Sequence, residues 1–295
     1  MRVQRDSGQT DSTRMLNSEL LAIMYGLASA ATWGTGDFSG GFATKTSSVS
    51  GVLLIGFITG AILLSIVALW VGSPVPDMYS LMMGAASGIG GVLGLGALYM
   101  GLARRRMGIV APLAGVISAM LPIFFGMFLE GLPSTTQITG FALALAAIWF
   151  LSAPEKSQKI QLKQLGYPVM AGVCFGLSFI LVDQAVEQGI LWPLVAARCM
   201  GIALLLILMF VFRKGALPQR NNYPLICLAG IFETAGNTFY ALAAHTGRLD
   251  IAALLSSMYP ATTVMLAWII LKERLSCRQW VGVLTALTAL ALIAA

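Results

Sequence analysis

Three polar side chains share one face of a strongly apolar segment in the second half of the sequence. Glu233 is followed by Asn237 at i+4 and Tyr240 at i+7, and Gly230 precedes it at i−3. These spacings put all four residues on one side of an α-helix. A carboxylate, an amide and a phenol around the space left by a glycine could bind a substrate ammonium, and the carboxylate could also carry a coupling proton. The alternative is a buried hydrogen-bonded pair that fixes this helix to a neighbour.

Three further ionisable residues fall inside apolar segments: Asp37, Asp183 and Arg198. Such a group costs at least about 2.5 kcal/mol in the middle of a membrane span, so by default it faces the protein interior and has a function. Asp183 and Arg198 flank a short loop and could reach each other, either as a structural ion pair or as a gate. We assign Asp37 to the same group of gating or ion-pairing candidates.

Aromatic side chains could form the walls of a substrate pathway. Trp33, Tyr99 and Tyr259 lie inside apolar segments and are our candidates for this role. We therefore predict a binding site that combines these three aromatic residues with Glu233 and its neighbours.

Asp37 ends the string GTGD, which matches a motif of intramembrane aspartyl proteases. Those enzymes need two aspartates that share a proton, and Asp183 is the only other aspartate predicted well inside a span. If the two halves of the chain cross the membrane in opposite directions, Asp37 lies about 7 Å to the cytoplasmic side of the midplane and Asp183 about 10 Å to the other side, at a rise of about 1.5 Å per residue. The two aspartates are then too far apart to share a proton. The sequence also has no zinc-protease helix motif and no nucleotide-binding loop. We therefore expect the protein not to be an enzyme.

The composition places this chemistry in a membrane. Of the 295 residues 58% are hydrophobic and only 10% are charged, and the mean hydropathy is +0.84. Soluble domains are about one quarter charged. The net charge of +6 comes from short basic runs between apolar segments, which is typical of membrane anchors and not of nucleic-acid binding. Four cysteines without ligand spacing and a single histidine predict no disulfide framework, no metal site and no cofactor.

Polar breaks divide the chain into ten apolar segments, each close to the about 20 residues that cross a bilayer. We predict spans at 20–44, 49–72, 78–103, 108–129, 135–152, 164–187, 191–212, 222–246, 249–272 and 276–294, after a disordered tail at 1–19. Thirteen basic residues lie in the connections after the odd-numbered spans, and four lie on the opposite side. The positive-inside rule therefore puts both termini on the non-cytoplasmic side.

The two halves of the sequence repeat each other weakly, at offsets of about 140 to 146 residues. Gly26 aligns with Gly172, Asp37 aligns with Asp183, and SAMLP ending at Pro122 aligns with SSMYP ending at Pro260. Each half, 20–152 and 164–295, holds five spans, and a basic loop at 153–163 connects them. An odd number of spans inverts the second half, so we predict two inverted five-helix repeats that meet at a midplane site. In this alignment the counterpart of Glu233 is Gly91.

Several short motifs resemble the EamA type of the drug/metabolite transporter superfamily. The ending SSMYPATTVMLAWIILKERLSCRQWVG carries Pro260, Glu-Arg-Leu at 273–275 and Gly282 where the family has a proline, this tripeptide and a glycine. The opening ATWGTGDFSGG is similar to the family's first span. The first half departs from the pattern, because it has Glu-Gly-Leu at 130–132 in place of Glu-Arg-Leu.

The resemblance implies a ten-helix integral membrane protein that exports small metabolites, and its most similar branch, named YddG, exports aromatic amino acids. We therefore expect an exporter of aromatic or other neutral amino acids in the bacterial inner membrane, working by alternating access as a monomer rather than a dimer. Its partners would be the substrate, the lipid bilayer and, if transport is coupled, protons. A carrier of drugs or other metabolites with the same fold, or a membrane scaffold without transport, remain the alternatives.

Overall fold

A computed structural model describes residues 3–44, 46–103, 107–129, 131–152, 166–213, 217–271 and 277–293. The predicted basic loop at 153–163, the Glu-Arg-Leu motif at 273–275 and most basic residues of the loop-charge count lie outside the described residues. Every regular element in the described part is helical, which confirms the all-α class. Helices satisfy their own backbone hydrogen bonds, as a chain in lipid must.

The helices are numbered in chain order. Their bounds are α1 Val3–Ala43, α2 Val49–Val71, α3 Met78–Ala103, α4 Met107–Leu129, α5 Thr135–Ser152, α6 Gly166–Ala185, α7 Leu191–Phe212, α8 Tyr223–Thr246, α9 Leu249–Ser256, α10 Tyr259–Leu271 and α11 Cys277–Ile293. A short 3-10 turn at Arg220–Asn222 precedes α8.

Five of the described helices are long and apolar enough to cross a membrane. They are α2, α3, α6, α7 and α8, with 20 to 27 residues in each candidate span. The protein is therefore a multi-pass membrane protein. Helix α1 has 41 residues, or about 60 Å at about 1.5 Å per residue, so it exceeds the hydrocarbon core by about twofold. Its backbone is helical from Val3 through the predicted tail, because extending an existing helix costs far less than starting one.

The predicted span at 249–272 is interrupted. Helix α9 ends at Ser256, α10 begins at Tyr259, and Ser257 and Met258 form a turn between them. Pro260 is the second residue of α10, where its missing N–H costs no hydrogen bond. The equivalent Pro122 lies inside α4, which continues to Leu129.

Helices from the two halves pack on each other in a cross-wise pattern. Helix α1 packs along α8, α3 packs along α6, α2 contacts α7 and α8, and α3 also contacts α7. Helix α4 packs on α6 and α9, α1 packs on α9 and α10, and α5 packs on α11. This pattern brings α1, α2, α3, α6, α7, α8 and α10 around one space inside the bundle.

The residue just before α3 and the residue just before α8 each form hydrogen bonds with a loop of the other half. Asp77 precedes α3, and it accepts a 2.9 Å hydrogen bond from the Ser80 backbone N–H and a 3.2 Å bond from Nε2 of Gln188. Asn222 precedes α8, and its Nδ2 donates to the hydroxyls of Thr46 and Ser47 at 2.8 and 2.9 Å. Polar contacts therefore join the two halves of the chain at the first turn of α3 and at the first turn of α8.

Candidate functional site

A cavity of about 90 Å³ lies where helices of both halves meet. Seven helices supply its lining, which combines aromatic rings, small residues and three groups that are charged in their ordinary state. The lining residues are Trp33, Asp37, Phe57, Ser87, Gly88, Gly91, Leu95, Phe175, Ser178, Phe179, Val182, Leu194, Ala197, Arg198, Glu233, Asn237, Tyr240 and Tyr259.

The carboxyl groups of Asp37 and Glu233 are neighbours across the contact between α1 and α8. Gly36 makes this contact possible, since a Cβ at Gly36 would lie 2.9 Å from Oε1 of Glu233 and 3.0 Å from its Cγ. Oδ1 of Asp37 and Oε1 of Glu233 are buried and have no hydrogen-bond partner among the described residues. Two neighbouring buried carboxyl groups disfavour ionising together, so a shared proton is the arrangement that their chemistry favours. Each carboxyl group also has one oxygen available to a ligand.

Arg198 supplies the positive charge of the cavity. The residue is only 3% exposed, and its guanidinium carbon lies 4.8 Å from the centre of the Phe57 ring. Its Nη2 atom is buried without a partner among the described residues. Gly60 leaves room for the side chain, because a Cβ there would lie 3.1 Å from Nε of Arg198. The guanidinium is therefore fixed by packing while part of its donor capacity is unused.

Three aromatic rings form one wall of the cavity. Trp33 stacks on Phe179 at 5.4 Å between ring centres and on Tyr240 at 5.9 Å, and Phe179 and Tyr240 are 4.6 Å apart. Two hydrogen bonds hold these rings in place: Trp33 Nε1 donates to Oδ1 of Asn237 at 3.1 Å, and the Tyr240 hydroxyl donates to the Phe179 carbonyl at 2.9 Å. Asn237 and Tyr240 therefore position the aromatic wall as well as line the cavity.

Two further tyrosines approach the charged groups. Tyr259 lines the cavity, and its buried hydroxyl has no partner among the described residues. Tyr99 lines a smaller adjoining cavity of about 20 Å³ together with Arg198 and Glu233. Gly40 provides space for Tyr99, since a Cβ at Gly40 would lie 2.5 Å from the Tyr99 hydroxyl.

The structure thus brings most of the predicted site residues to one place. Glu233, Asn237, Tyr240, Trp33 and Tyr259, together with Asp37 and Arg198, line the main cavity, and Tyr99 lines the adjoining one. Asp183 lies apart, where its Oδ2 accepts a 3.2 Å hydrogen bond from Gln184. No ion pair between Asp183 and Arg198 is present in the described part of the chain.

Sequence reasoning missed three aromatic residues of the site, Phe57, Phe175 and Phe179. Phe179 could have been found, because the repeat aligns it with Trp33. Phe57 is one of many apolar residues of α2, and nothing in its sequence neighbourhood marks it. Within the described residues, no group of three potential metal ligands occurs.

The second half of the chain matches a known family. Residues 165–295 match the model of the EamA-like transporter family. This match supports a relationship to the drug/metabolite transporter superfamily, whose members are membrane solute transporters rather than enzymes. The uncharacterized protein MJ1333.1 of Methanocaldococcus jannaschii is 24% identical over 115 residues, which cover 39% of this chain and 84% of that protein.

A solved structure, described only as the crystal structure of a protein, shares the fold. It superposes with a TM-score of 0.75 at 16% sequence identity, over 92% of this chain and 97% of that one. The likeness extends the shared fold to both halves of the chain.

Proposed function

We propose that this protein, whose second half matches the EamA-like transporter family, exports small metabolites by alternating access at the cavity between its two halves. Neutral amino acids, aromatic or other, are the substrates that we favour. The observation that carries the proposal is the cavity itself, where a carboxyl pair, a buried arginine and three stacked rings converge from four helices. A membrane scaffold has no need for three ionisable groups around a space inside a bundle.

The packing pattern supports two inverted five-helix repeats. In the repeat α1 corresponds to α6, α2 to α7, α3 to α8, α4 to α9 and α10 together, and α5 to α11. Exchanging the halves turns the contact of α1 with α8 into the contact of α6 with α3. It likewise turns the contact of α2 with α8 into the contact of α7 with α3. The contact of α4 with α6 becomes the contact of α9 and α10 with α1. The contact of α2 with α7 and the contact of α5 with α11 are unchanged by the exchange. All of these contacts are present, so the helix packing is the same from either half.

The match extends to single residues between the first helix of each half and the fourth span of the other. A Cβ on Gly26 would meet Cβ of Leu255 at 2.9 Å, next to the Ala252 carbonyl at 3.8 Å. A Cβ on Gly172 would meet Cβ of Ile117 at 2.6 Å, next to the Ala114 carbonyl at 2.8 Å. The helix pairs cross at positions that the repeat aligns, because both 114 and 252, and 117 and 255, are separated by 138 residues.

A second pair of crossings is equally matched. Gly88 lies against the backbone of Ala197, and Gly230 lies against the backbone of Gly56, where an added Cβ would come 2.7 Å from the Gly56 carbonyl oxygen. Glycine at these crossings lets two helix backbones touch, which stabilises packing where lipid removes the hydrophobic incentive to associate. Two equivalent halves can rock about a shared site, which is the movement that alternating access requires.

The size of the cavity bears on the substrate. A dry protein cavity of about 150 Å³ accommodates benzene, whereas the cavity here measures about 90 Å³. An aromatic amino acid would therefore bind after the halves move apart or after Trp33 leaves its stack. The three rings would then offer stacking surfaces to its side chain.

Membrane location and orientation complete the proposal. We assign the protein to the bacterial inner membrane, with both termini on the non-cytoplasmic side because of the basic connections after odd-numbered spans. The matched crossings lie within one chain, so a complete pathway forms without a second copy, and we propose a monomer.

A flux assay tests the proposed function. The purified protein is reconstituted in liposomes. The liposomes are loaded with radiolabelled amino acids, other metabolites or organic cations, and release is measured with and without a pH gradient. We expect neutral amino acids to move faster than through protein-free liposomes. Movement of organic cations alone would favour a drug carrier of the same fold. If nothing in the panel moves under either condition, the scaffold alternative replaces the transporter proposal.

A further inference from the structure

Arg198 brings a positive charge with an unused hydrogen-bond donor to the described part of the cavity. A guanidinium keeps its proton in proteins and offers five N–H donors in a planar fork. In this site one face of the group lies on the Phe57 ring, and Nη2 is buried without a hydrogen-bond partner among the described residues. Burying a charge without a partner is costly, so such a group normally has an anion in at least one state of the protein.

The carboxyl groups of the cavity attract Arg198 but do not pair with it. Arg198 lies close enough to Glu233 to interact electrostatically, yet the described residues show no ion pair between them, that is, no guanidinium nitrogen within 4.0 Å of a Glu233 carboxyl oxygen. Glu233 has the carboxyl group of Asp37 as its neighbour on the other side. A space therefore separates the positive group from the two carboxyl groups.

The three groups balance each other in charge. Two neighbouring buried carboxyl groups favour sharing one proton, which gives the pair of Asp37 and Glu233 one negative charge, and Arg198 carries one positive charge. A ligand that is neutral as a whole leaves this balance unchanged. A zwitterion does so while satisfying both ends, because its carboxylate suits the free guanidinium donors and its ammonium suits the free carboxyl oxygens.

The neighbouring helix leaves room on the arginine side. Gly88 lies against the backbone of Ala197, the residue before Arg198, and Gly91 is one turn further along the same face of α3. A Cβ placed at Gly91 meets no atom of the surrounding structure within 4 Å. The cavity is thus open next to the level at which Arg198 enters it.

We infer that Arg198 is the substrate-carboxylate anchor of the cavity and that the Asp37–Glu233 pair receives the substrate ammonium, so that the transported class is zwitterionic α-amino acids and not amines. This inference rests on the proposed function and adds a role for Arg198 beyond gating. It also gives the aromatic wall a defined place, as the surface for the substrate side chain between its two charged ends.

A matched ligand set tests the inference on the purified wild-type protein. The set contains phenylalanine, which has both charged groups. It also contains phenethylamine and phenylalaninamide, which both lack the carboxylate, and 3-phenylpropionate, which lacks the ammonium. Binding is measured as ligand-dependent stabilisation against heat, and transport as liposome flux of the same compounds. We expect phenylalanine to bind at least about tenfold more tightly than either compound without a carboxylate, as a charge-assisted hydrogen bond to a buried group predicts.

Variants then assign the preference to one side chain. In Arg198→Gln the ratio of amino acid to amine affinity should fall to near one, and in Arg198→Lys it should recover in part, since the charge remains without the planar fork. Arg220→Gln, which removes an exposed arginine away from the cavity, should leave the ratio unchanged. If the Arg198 variants fail to fold, the wild-type ligand ratio still decides.

The outcomes separate the inference from the proposed function. Wild-type protein that binds or moves the amine and the amide as well as the amino acid overturns the inference while transport stands. An Arg198→Gln variant that keeps the full preference for the carboxylate overturns it as well. No binding and no flux for any compound, including other metabolites, overturns the proposed function and the inference together.

Discussion

Helices α3 and α8 face the same cavity from opposite halves of the chain, and they bring opposite chemistry to it. At the position where α8 carries Glu233, the repeat gives α3 Gly91, and a Cβ at Gly91 would meet nothing within 4 Å. One turn earlier the helices are alike, since Gly88 and Gly230 both lie against the backbone of a neighbouring helix. The comparison shows that the two halves keep the same packing and differ where a ligand would bind. Packing constrains both halves equally, whereas a single bound molecule has different groups at its two ends.

The largest expected effect comes from removing the carboxyl group that α8, unlike α3, supplies at this position of the repeat. Glu233→Gln keeps the size of the side chain but replaces a carboxyl oxygen with an amide NH2 group and removes any proton shared with Asp37, so it weakens the site for an ammonium group and abolishes coupling through that proton. We expect liposome flux of the transported amino acid to fall about hundredfold, in line with about 1.5–3 kcal/mol for a hydrogen bond to a charged group. The change Glu187→Gln, at an exposed carboxylate outside the cavity, is the control. Normal flux at every pH together with a lower melting temperature would make Glu233 a structural residue.

Two glycines on one face of α3 should separate packing from function. Gly88→Ala puts a methyl group against the Ala197 backbone and should cost about 1–3 kcal/mol of folding stability. Gly91→Ala adds the same group to open space in the cavity, so stability should be unchanged or rise by up to about 1 kcal/mol, while flux falls several-fold. Thermal unfolding in detergent and liposome flux measure the two effects. Gly96→Ala is the control on the same helix, since a Cβ there also meets nothing within 4 Å and Gly96 does not line the cavity. Equal flux for the Gly91 and Gly96 variants would contradict the idea that the gap on α3 belongs to the substrate.

The two cavity tyrosines of the second half sharpen the same distinction. Tyr240 donates to the Phe179 carbonyl, so Tyr240→Phe should lose about 1 kcal/mol of stability. Tyr259 has a buried hydroxyl without a partner among the described residues, so Tyr259→Phe should be neutral or slightly stabilising and should weaken substrate binding instead. Melting temperatures with and without substrate measure both quantities. The opposite ranking would show that the Tyr259 hydroxyl is a packing element and that the Tyr240 hydroxyl is free for ligands.

The smallest expected effect concerns the first turns of α3 and α8. The bond from the Ser80 backbone N–H lowers the pKa of the Asp77 carboxyl below its ordinary value of 3.8, whereas Asn222, before α8, makes no side-chain cap bond. A lowered folded-state pKa means that the stabilisation is present above the ordinary pKa and is lost as the pH falls through the folded-state value. Asp77→Asn should therefore flatten the acid side of the stability curve slightly, and Asn222→Ala should leave its shape unchanged. Urea titrations between pH 3 and 7 would compare them, and identical curves for Asp77→Asn and wild type would contradict a role for this cap.

Local periodicity was sufficient to predict part of the site. Glu233, Asn237 and Tyr240 share a helix face in any register, so their common position on the cavity follows from spacing alone. The contact of Asp37 with Glu233 could not be predicted in this way, because it depends on how far α1 slides along α8. Gly36 sets that register, and only the packed structure shows which side chain its missing Cβ accommodates.

The same limit applies to the prolines and to the predicted ion pair. Pro122 and Pro260 occupy equivalent places in the repeat, yet α4 runs through Pro122 and the chain leaves the helix before Pro260. A proline removes one hydrogen bond, and the surrounding contacts decide whether the backbone then turns. Asp183 and Arg198 are close in sequence, but the side chain of Arg198 is directed to Phe57 by the packing of α7 on α2.

The central claim is that the cavity is a pathway open in turn to both sides of the membrane. Gly91→Cys, in a chain whose cysteines at 174, 199, 227 and 277 are replaced by alanine, places one thiol in the open space of the cavity. A charged, membrane-impermeant thiol reagent is then added to one side of the membrane at a time, with and without the transported amino acid. The account predicts that the thiol reacts from both sides and that the amino acid slows both reactions. A thiol in actively transporting protein that reacts from neither side, or at a rate that the amino acid does not change, would contradict it.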